Sequence, residues 1–270
     1  MQLPTSIMRD QPSVLFRRDR YFYFWYDGTY LVLLLGLIAA LSVSGWQGVN
    51  LRWGPGLIPW FLAACYVQIL SSVFIHNCTH GNFPRRMNRW IGELTGLIVF
   101  TRYASWEILH RRHHKYAEDR DKDPHPAIPG FWNFLHHTMG VNLERNLHQQ
   151  FYELHGGETA ENVEFDRRRS WLSYLTMAVL AWAWWAVLGT VAFWAIYAPS
   201  AVVGLVHISH FNWRTHNGQS ADRDYKPVNI NSGIYWLGNR LCFGLYMHAN
   251  HHRQVGLFNP MHYERLQAKR

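Results

Sequence analysis

Charge is scarce in this chain of 270 residues: Asp, Glu, Lys and Arg make up 16%, against about 25% in soluble domains. Cysteine is scarcer still, with three in all. Cys65 lies in an apolar run, Cys78 between two histidines and Cys242 alone, so a disulfide framework is excluded and a reducing compartment suits the chain. Internal repeats and low-complexity tracts are absent. Disorder is excluded by a content of 49% hydrophobic and 16% aromatic residues. A mean hydropathy of −0.20 looks soluble, but apolar residues are gathered into long runs and charge into the remainder, so the average conceals a membrane pattern.

Thr29 to Trp46 is an 18-residue run without charge, preceded by the aromatic cluster Phe22, Tyr23, Phe24, Trp25 and Tyr26. That predicts a membrane helix with an interfacial belt, and the 28 residues before it argue against a cleavable signal peptide. Leu57 to Ile75 is long enough for a second span. Ser170 to Phe211, 42 residues, would reach about 63 Å as a single helix, twice the hydrocarbon thickness of about 30 Å. It must fold as a hairpin, with a turn near Gly189 and Thr190 and a kink at Pro199. The predicted fold class is therefore all-α and integral to the membrane: one domain over 1–270, with four transmembrane helices in two hairpins, at 29–46, 57–75, 170–189 and 190–211. A histidine-rich helical cap (76–169 and 212–270) follows from the remainder. Trp90 to Thr101, about 12 residues with Glu93 inside, is too short to span and reads as interfacial or re-entrant. Glu118 to Asp123 reads as a loop.

Even parity puts both termini and the segment 76–170 on one side. Lys and Arg number 4 in residues 1–28, 13 in 76–169 and 8 after 211, whereas the opposite loops hold only Arg52. The asymmetry makes the cap and the termini cytoplasmic, in a multi-pass protein for which a bacterial inner membrane is expected. The formal charge of +8 is explained by the bilayer, with no nucleic-acid-binding pattern; anionic lipids, an acidic electron donor or an acyl carrier's phosphates could use the same face.

The 17 histidines are not scattered. His76-Asn77-Cys78-Thr79-His80 ends the second span, and an i, i+4 spacing on a continuing helix puts both imidazoles on one face. His110-Arg111-Arg112-His113-His114 and His248-Ala249-Asn250-His251-His252 repeat an H-x-x-H-H spacing with the same property. Eight imidazoles exceed what one ion takes, about four to six positions, so the pattern predicts a site for two metal ions. Neutral imidazole binds zinc, copper and nickel as well as iron, and affinity order does not choose among them. Cys78 points about 200° away from His76 and is not expected to be a ligand. Trp182, Trp184 and Trp185 are read as lipid-facing or packing groups.

These boxes, from about Tyr66 to Pro260 and including HNCTHGNFPRRMNRWIGELTG, resemble the membrane fatty acid desaturase and hydroxylase superfamily. The resemblance implies a non-haem di-iron centre (two Fe, with O2 as co-substrate) at the cytosolic mouth of four spans, attacking an unactivated C–H bond of a lipid chain. It implies metal ligation by His76, His80, His110, His113, His114, His248, His251 and His252. A ninth ligand from the end of the fourth span is also implied. His207 and His210 share one helical face there and Asn212 and His216 another; the family's N-x-x-x-H matches Asn212 to His216, so His216 is preferred, with Asn212 holding a metal-bound water. His207 and His210 are then hydrogen-bonding supports. Glu107 reads equally as an acceptor for His110 or as a solvated carboxylate, and Asp123, with Asp119 and Asp121, lies where the family often has acids, one of which is expected to orient a ligand while the rest are solvated. His125, His136, His137, His148, His155 and His262 have no convincing spacing and are read as interfacial or surface residues.

The longer first box of animal acyl-CoA desaturases, with its Arg-Leu-Trp pattern, is missing, and NRLCFGLYMHANHHRQ is closer to alkane monooxygenases and some bacterial desaturases. No cytochrome b5 haem motif is present, so electrons are expected from a separate protein such as ferredoxin, rubredoxin or cytochrome b5. The leading expectation is an oxidoreductase that introduces a double bond into a fatty acyl chain, carried free or on CoA, acyl carrier protein or lipid. The alternatives are a di-iron hydroxylase or monooxygenase acting on an alkane, fatty acid or carotenoid, an olefin-forming enzyme, and, more remotely, a haem electron carrier or a zinc hydrolase.

Overall fold

The computed structural model describes residues 19–268. Arg9, Arg17, Arg18, Lys269 and Arg270, with the expected placement of the two chain ends, lie outside the described residues. Among the described residues the regular structure is helical, with one isolated bridge, Asn229 to Met247, and no strand.

Helix α1 (Phe22–Val43) begins at the aromatic cluster, seven residues earlier than the apolar run predicts. The Asp19 carboxylate accepts the Tyr21 N–H (2.8 Å) ahead of it. Left-handed Gly45 (φ 70) closes the helix, with the Trp46 N–H returned to the Leu41 carbonyl, so Trp46 lies beyond the helix. A 3-10 turn at Pro55–Leu57 runs into α2 (Ile58–Thr79), which carries the first histidine box past the expected end at Ile75. Then come α3 (Arg85–Ile98), α4 (Tyr103–Tyr116), a π-helical stretch Phe134–Asn142 and α5 (Leu143–Leu154). Helix α6 (Ala160–Ala192) starts ten residues before the predicted span, capped by the Thr159 hydroxyl accepting the Asn162 N–H (3.2 Å). A π-turn at Phe193–Tyr197 leads into α7 (Ala198–Thr215). That wide turn directly precedes Pro199, which has no N–H to give the ladder. Short helices α8 (Ile234–Leu241), α9 (His248–Arg253) and α10 (Tyr263–Gln267) complete the chain.

Among the described residues three helical runs are long and apolar enough to cross a membrane: Phe22–Val43, Pro55–Thr79 and Ala160–Thr215. Only 17%, 28% and 28% of their most apolar windows is buried, so their apolar faces point outward, as a bilayer requires and water does not tolerate. The third run is not one helix. Gly189 has φ 77 and ψ 168, and the rings of Trp184 and Tyr197 stack at 4.7 Å. Thirteen residues of straight helix would hold them about 20 Å apart. The chain therefore reverses at Gly189, where the sequence places the turn.

The chain forms two compact units, 19–66 with 148–202, and 67–147 with 203–268. In the first, α1 packs on α6. Asp27, fully buried, accepts a bond from the Ser173 hydroxyl (2.6 Å). The Trp46 indole and the Val49 N–H reach the Val187 and Leu188 carbonyls (3.0 and 2.9 Å). Gly48 is obligatory in that crossing, because a Cβ there would stand 2.4 Å from the Gly189 Cα. In the second unit α3 and α4 form a tight hairpin around Phe100 (φ 58), with a Cβ at Gly92 or Gly96 excluded by the Tyr103 ring and the Thr101 carbonyl. At 14 residues, or about 21 Å, α3 cannot cross a bilayer. Its exposed Met87, Trp90 and Leu94 form an apolar stripe. The hairpin returns the chain to the first box, and its packing rests on Ile75, Cys78 and Tyr103.

Candidate metal centre

Helices of the second unit present the three histidine boxes to one another. Asn side chains fix where those helices end. Asn82 bonds to the Asn77 side chain (2.8 Å) and the Val255 carbonyl (3.0 Å), and Asn88 caps the Cys78 carbonyl (2.7 Å), which holds the last turn of α2. Asn250 exchanges two bonds with Asn229 (2.9 and 3.1 Å) and anchors α9. His216 follows α7, one turn after buried Asn212, whose carbonyl accepts the His216 N–H (3.0 Å).

Nine imidazoles converge. His76, His80, His110 and His251 form one group and His113, His216, His248 and His252 another, and within each group one ligand atom per residue lies within 4.8 Å of the rest. Nε2 of His76 and His251 are 2.9 Å apart, as are those of His80 and His110, and of His216 and His248. His114 belongs to neither group but stands between them, its Nε2 3.1 Å from that of His110 and 3.2 Å from that of His251, and its ring 4.3 Å from that of His252.

Two carboxylates turn rings inward. The Asp123 carboxylate faces His113 Nδ1 at 2.9 and 3.1 Å and also accepts the backbone N–H groups of Glu118 and His125. Glu118 Oε1 lies 2.5 Å from His216 Nδ1, and Oε2 accepts the Ala127 N–H (3.1 Å). Glu118 reaches it from a left-handed backbone, φ 67, which costs a side-chain-bearing residue about 1–2 kcal/mol. With Nδ1–H donated to a carboxylate, each Nε2 keeps its lone pair for the centre. His113 Nε2 is buried with no hydrogen-bond partner. Lone pairs pointed at one another without enough protons between them are the donor set a cation satisfies, so these residues fit a pair of divalent ions.

Burial dominates the electrostatics. It holds His80, His110, His113, His114, His248 and His251 well below the ordinary imidazole pKa, and their mutual repulsion adds to it. His252 is likewise lowered. Burial thus favours at these seven histidines the neutral imidazole, the form that accepts metal. Desolvation pushes the Asp123 carboxyl of the metal-free site up to about 8, against the two N–H groups bonded to it, so that a cation held by His113 would favour its ionised, accepting form; Glu107 is pushed up to about 7, against Arg111 and Arg89.

The remaining candidates lie outside the two groups of four. Glu107 does not accept from His110; it is fully buried and pairs with Arg111 (2.9 Å), while the Trp106 ring stacks beside His110 at 5.7 Å. His207 Nε2 meets the Tyr246 hydroxyl (3.1 Å), and His210 lies among the rings of Phe131 and Trp213 (5.5 and 6.1 Å); neither joins a group. Asp119 turns its carboxylate to the N–H groups of Asp121 and Lys122. The surface reading of His125 is corrected: it is buried, its ring 4.0 Å from that of His113, and with His113 and Asp123 it forms a third close group. The signal for it was its place two residues after Asp123, which spacing between histidines alone does not reveal. Glu118 was overlooked as a loop residue.

Residues 51–269 match the family model described as "Fatty acid desaturase". The chain is similar to an sn-1 oleoyl-lipid 12-desaturase of Arthrospira platensis, 30% identical over 46% of this chain and 33% of that protein. It is similar to a Delta-9 desaturase-like 5 protein of Arabidopsis thaliana, 24% identical over 75% and 67% of the two chains. A third relative, an sn-1 acyl-lipid omega-3 desaturase (ferredoxin) of Nostoc sp. (strain 36), is 30% identical over 38% of this chain and 26% of that protein. The chain spans a quarter to a half of the length of the first curated relatives it matches. No solved structure matches.

Proposed function

The chain belongs to the fatty acid desaturase family, and from that premise we propose that it is a membrane oxidoreductase that uses O2 and a non-haem di-iron centre to introduce a double bond into a lipid-borne fatty acyl chain. The observation that carries this reading is the pair of four-imidazole groups with His114 between them. In it, His76, His80, His110 and His251 hold one iron and His113, His216, His248 and His252 the other, with His114 at their junction and Asn212 contacting the metal through water. When bound, the irons would supply the oxidising power by which O2 and two electrons from a donor remove two hydrogens from the chain and yield water.

The protein's own residues do the rest. Asp123 and Glu118 hold the proton on Nδ1 of His113 and His216, which fixes both tautomers and aims both rings. Neutral imidazoles leave the ions their charge. The relatives' printed substrates, oleoyl-lipid and acyl-lipid, favour a chain esterified to lipid, and one relative's printed ferredoxin favours a separate iron–sulfur donor. Four spans, with the reversal at Gly189 separating the third from the fourth and the histidines on the cytoplasmic side, complete the proposal.

The test is expression in a host of known lipid content, with metal analysis of the purified protein and mass spectrometry of the lipids. A new alkene, two hydrogens lighter, with iron bound supports the reading. A gain of one oxygen assigns a hydroxylase instead, and zinc without iron or O2 consumption overturns both.

A further inference from the structure

A recess open at its mouth faces His76, His248 and His251. Besides the three imidazoles only Asn77 is polar; the walls are apolar, among them Phe211, Phe243, Leu245, Leu257 and Phe258. No Lys, Arg, Asp or Glu lines it. The recess thus offers nothing to a headgroup or a carrier and suits a length of hydrocarbon lying against the histidines.

Phe243 is the unusual wall. Its backbone is left-handed, φ 52, a conformation glycine adopts freely and a bulky residue only under strain. The next residue, Gly244 (φ 75), is pressed so closely on the following segment that a Cβ would stand 2.5 Å from Asn259 Oδ1. The loop is therefore pinned, and the ring at 243 is held where relaxation cannot carry it away. It packs 5.2 Å from Phe258 and 6.1 Å from Phe74, and Phe83 closes the set at 5.3 Å from Phe258. Glycine at 243 would give the same loop without strain, so it is the ring that the strained backbone serves.

We infer that Phe243, backed by Phe258, is a specificity-determining wall that limits how far an acyl chain extends past the histidines and so selects which of its carbons meet them. This rests on the reading that the site acts on acyl chains.

The experiment has an arm that needs no metal and no turnover. Metal-free protein in nanodiscs is photolabelled with phospholipids carrying a diazirine at successive acyl carbons, and the adducts are mapped by mass spectrometry. Adducts on peptides containing 243–245 and 257–258, from a narrow band of carbons, are expected. In Phe243→Gly, which keeps the loop conformation and whose thermal unfolding shows that it is folded, carbons nearer the chain terminus or start should label as well, widening the band. Adducts absent from these peptides, or a band unchanged in folded Phe243→Gly, overturn the inference. With turnover, Phe243→Gly should give at least a tenth of its alkene at a new position, and Phe243→Trp should narrow the accepted chain lengths. A wild-type protein that makes no alkene defeats the proposed reaction, while the labelling still decides the wall; an alkene at an unchanged position in Phe243→Gly defeats the wall alone.

Discussion

Glu118 Oε1 lies 2.5 Å from His216 Nδ1, and Glu118 takes up a left-handed backbone, φ 67, to make that contact. A carboxylate held in this way fixes which nitrogen of His216 faces His248. Glu118→Ala should therefore weaken metal binding about 10–100-fold, while Glu118→Gln, whose amide oxygen still accepts the Nδ1–H, should lose less. Metal titration of the purified variants checks it; unchanged affinity in Glu118→Ala would mean that the contact orients nothing.

The end of α7 separates two histidines by role. His216→Ala should lose metal and turnover together. Asn212→Ala should keep most of the metal and lose much of the turnover, because the proposed role of Asn212 is a contact through water. His210→Ala should keep its metal, since that ring packs among Phe131 and Trp213 outside both groups. Metal retained in His216→Ala and lost in His210→Ala is the opposing result.

How far the sequence reaches is clear from these residues. The eight box histidines were legible because i, i+3 and i+4 spacing on a helix survives into the fold, and the turn at Gly189 was legible because no single helix of 42 residues fits a bilayer. Helix starts were not, since the aromatic cluster at Phe22 and the polar residues from Ala160 are helical by packing and capping rather than by apolar character. Glu118 and His125 were missed because they act from a loop, where no periodicity marks them and only the closure of the chain brings them to His216 and His113. Glu107 meets neither of its two readings, acceptor for His110 or solvated carboxylate, because a carboxylate three residues before a histidine can equally well face the arginine one turn ahead, as it does with Arg111 inside the fold.

Acid should destabilise the metal-free protein. A histidine whose folded pKa lies below its unfolded value of about 6.5 contributes stability that is present above that value and is lost as pH falls below it. Burial lowers His80, His110, His113, His114, His248, His251 and His252 in this way, and His125 to about 3. The two raised carboxyls, Asp123 at about 8 and Glu107 at about 7, act in the other sense, losing stability as pH rises. The histidines outnumber them, so the unfolding temperature in detergent should fall from pH 6.5 to pH 5. A constant or rising unfolding temperature over that interval would contradict the burial of these histidines.

Single cysteines at exposed positions report the topology. Gln47→Cys and Thr190→Cys should react with an impermeant reagent from outside the cell; the bonds from Trp46 and Val49 to Val187 and Leu188 put both at one end of the first unit. Cysteines at Arg120, Ala160 and Arg265 should react only after the membrane is opened. Outside labelling at 120 would contradict a cytoplasmic second box.

The metal content of the purified protein tests the central claim most directly. The two groups of four imidazoles predict about two irons per wild-type chain, each ion taking about four to six positions, with bound iron lowered and turnover abolished in both His251→Ala and His113→Ala. Wild-type protein that holds at most one iron when loaded, or normal iron content and turnover in both variants, would contradict the di-iron account.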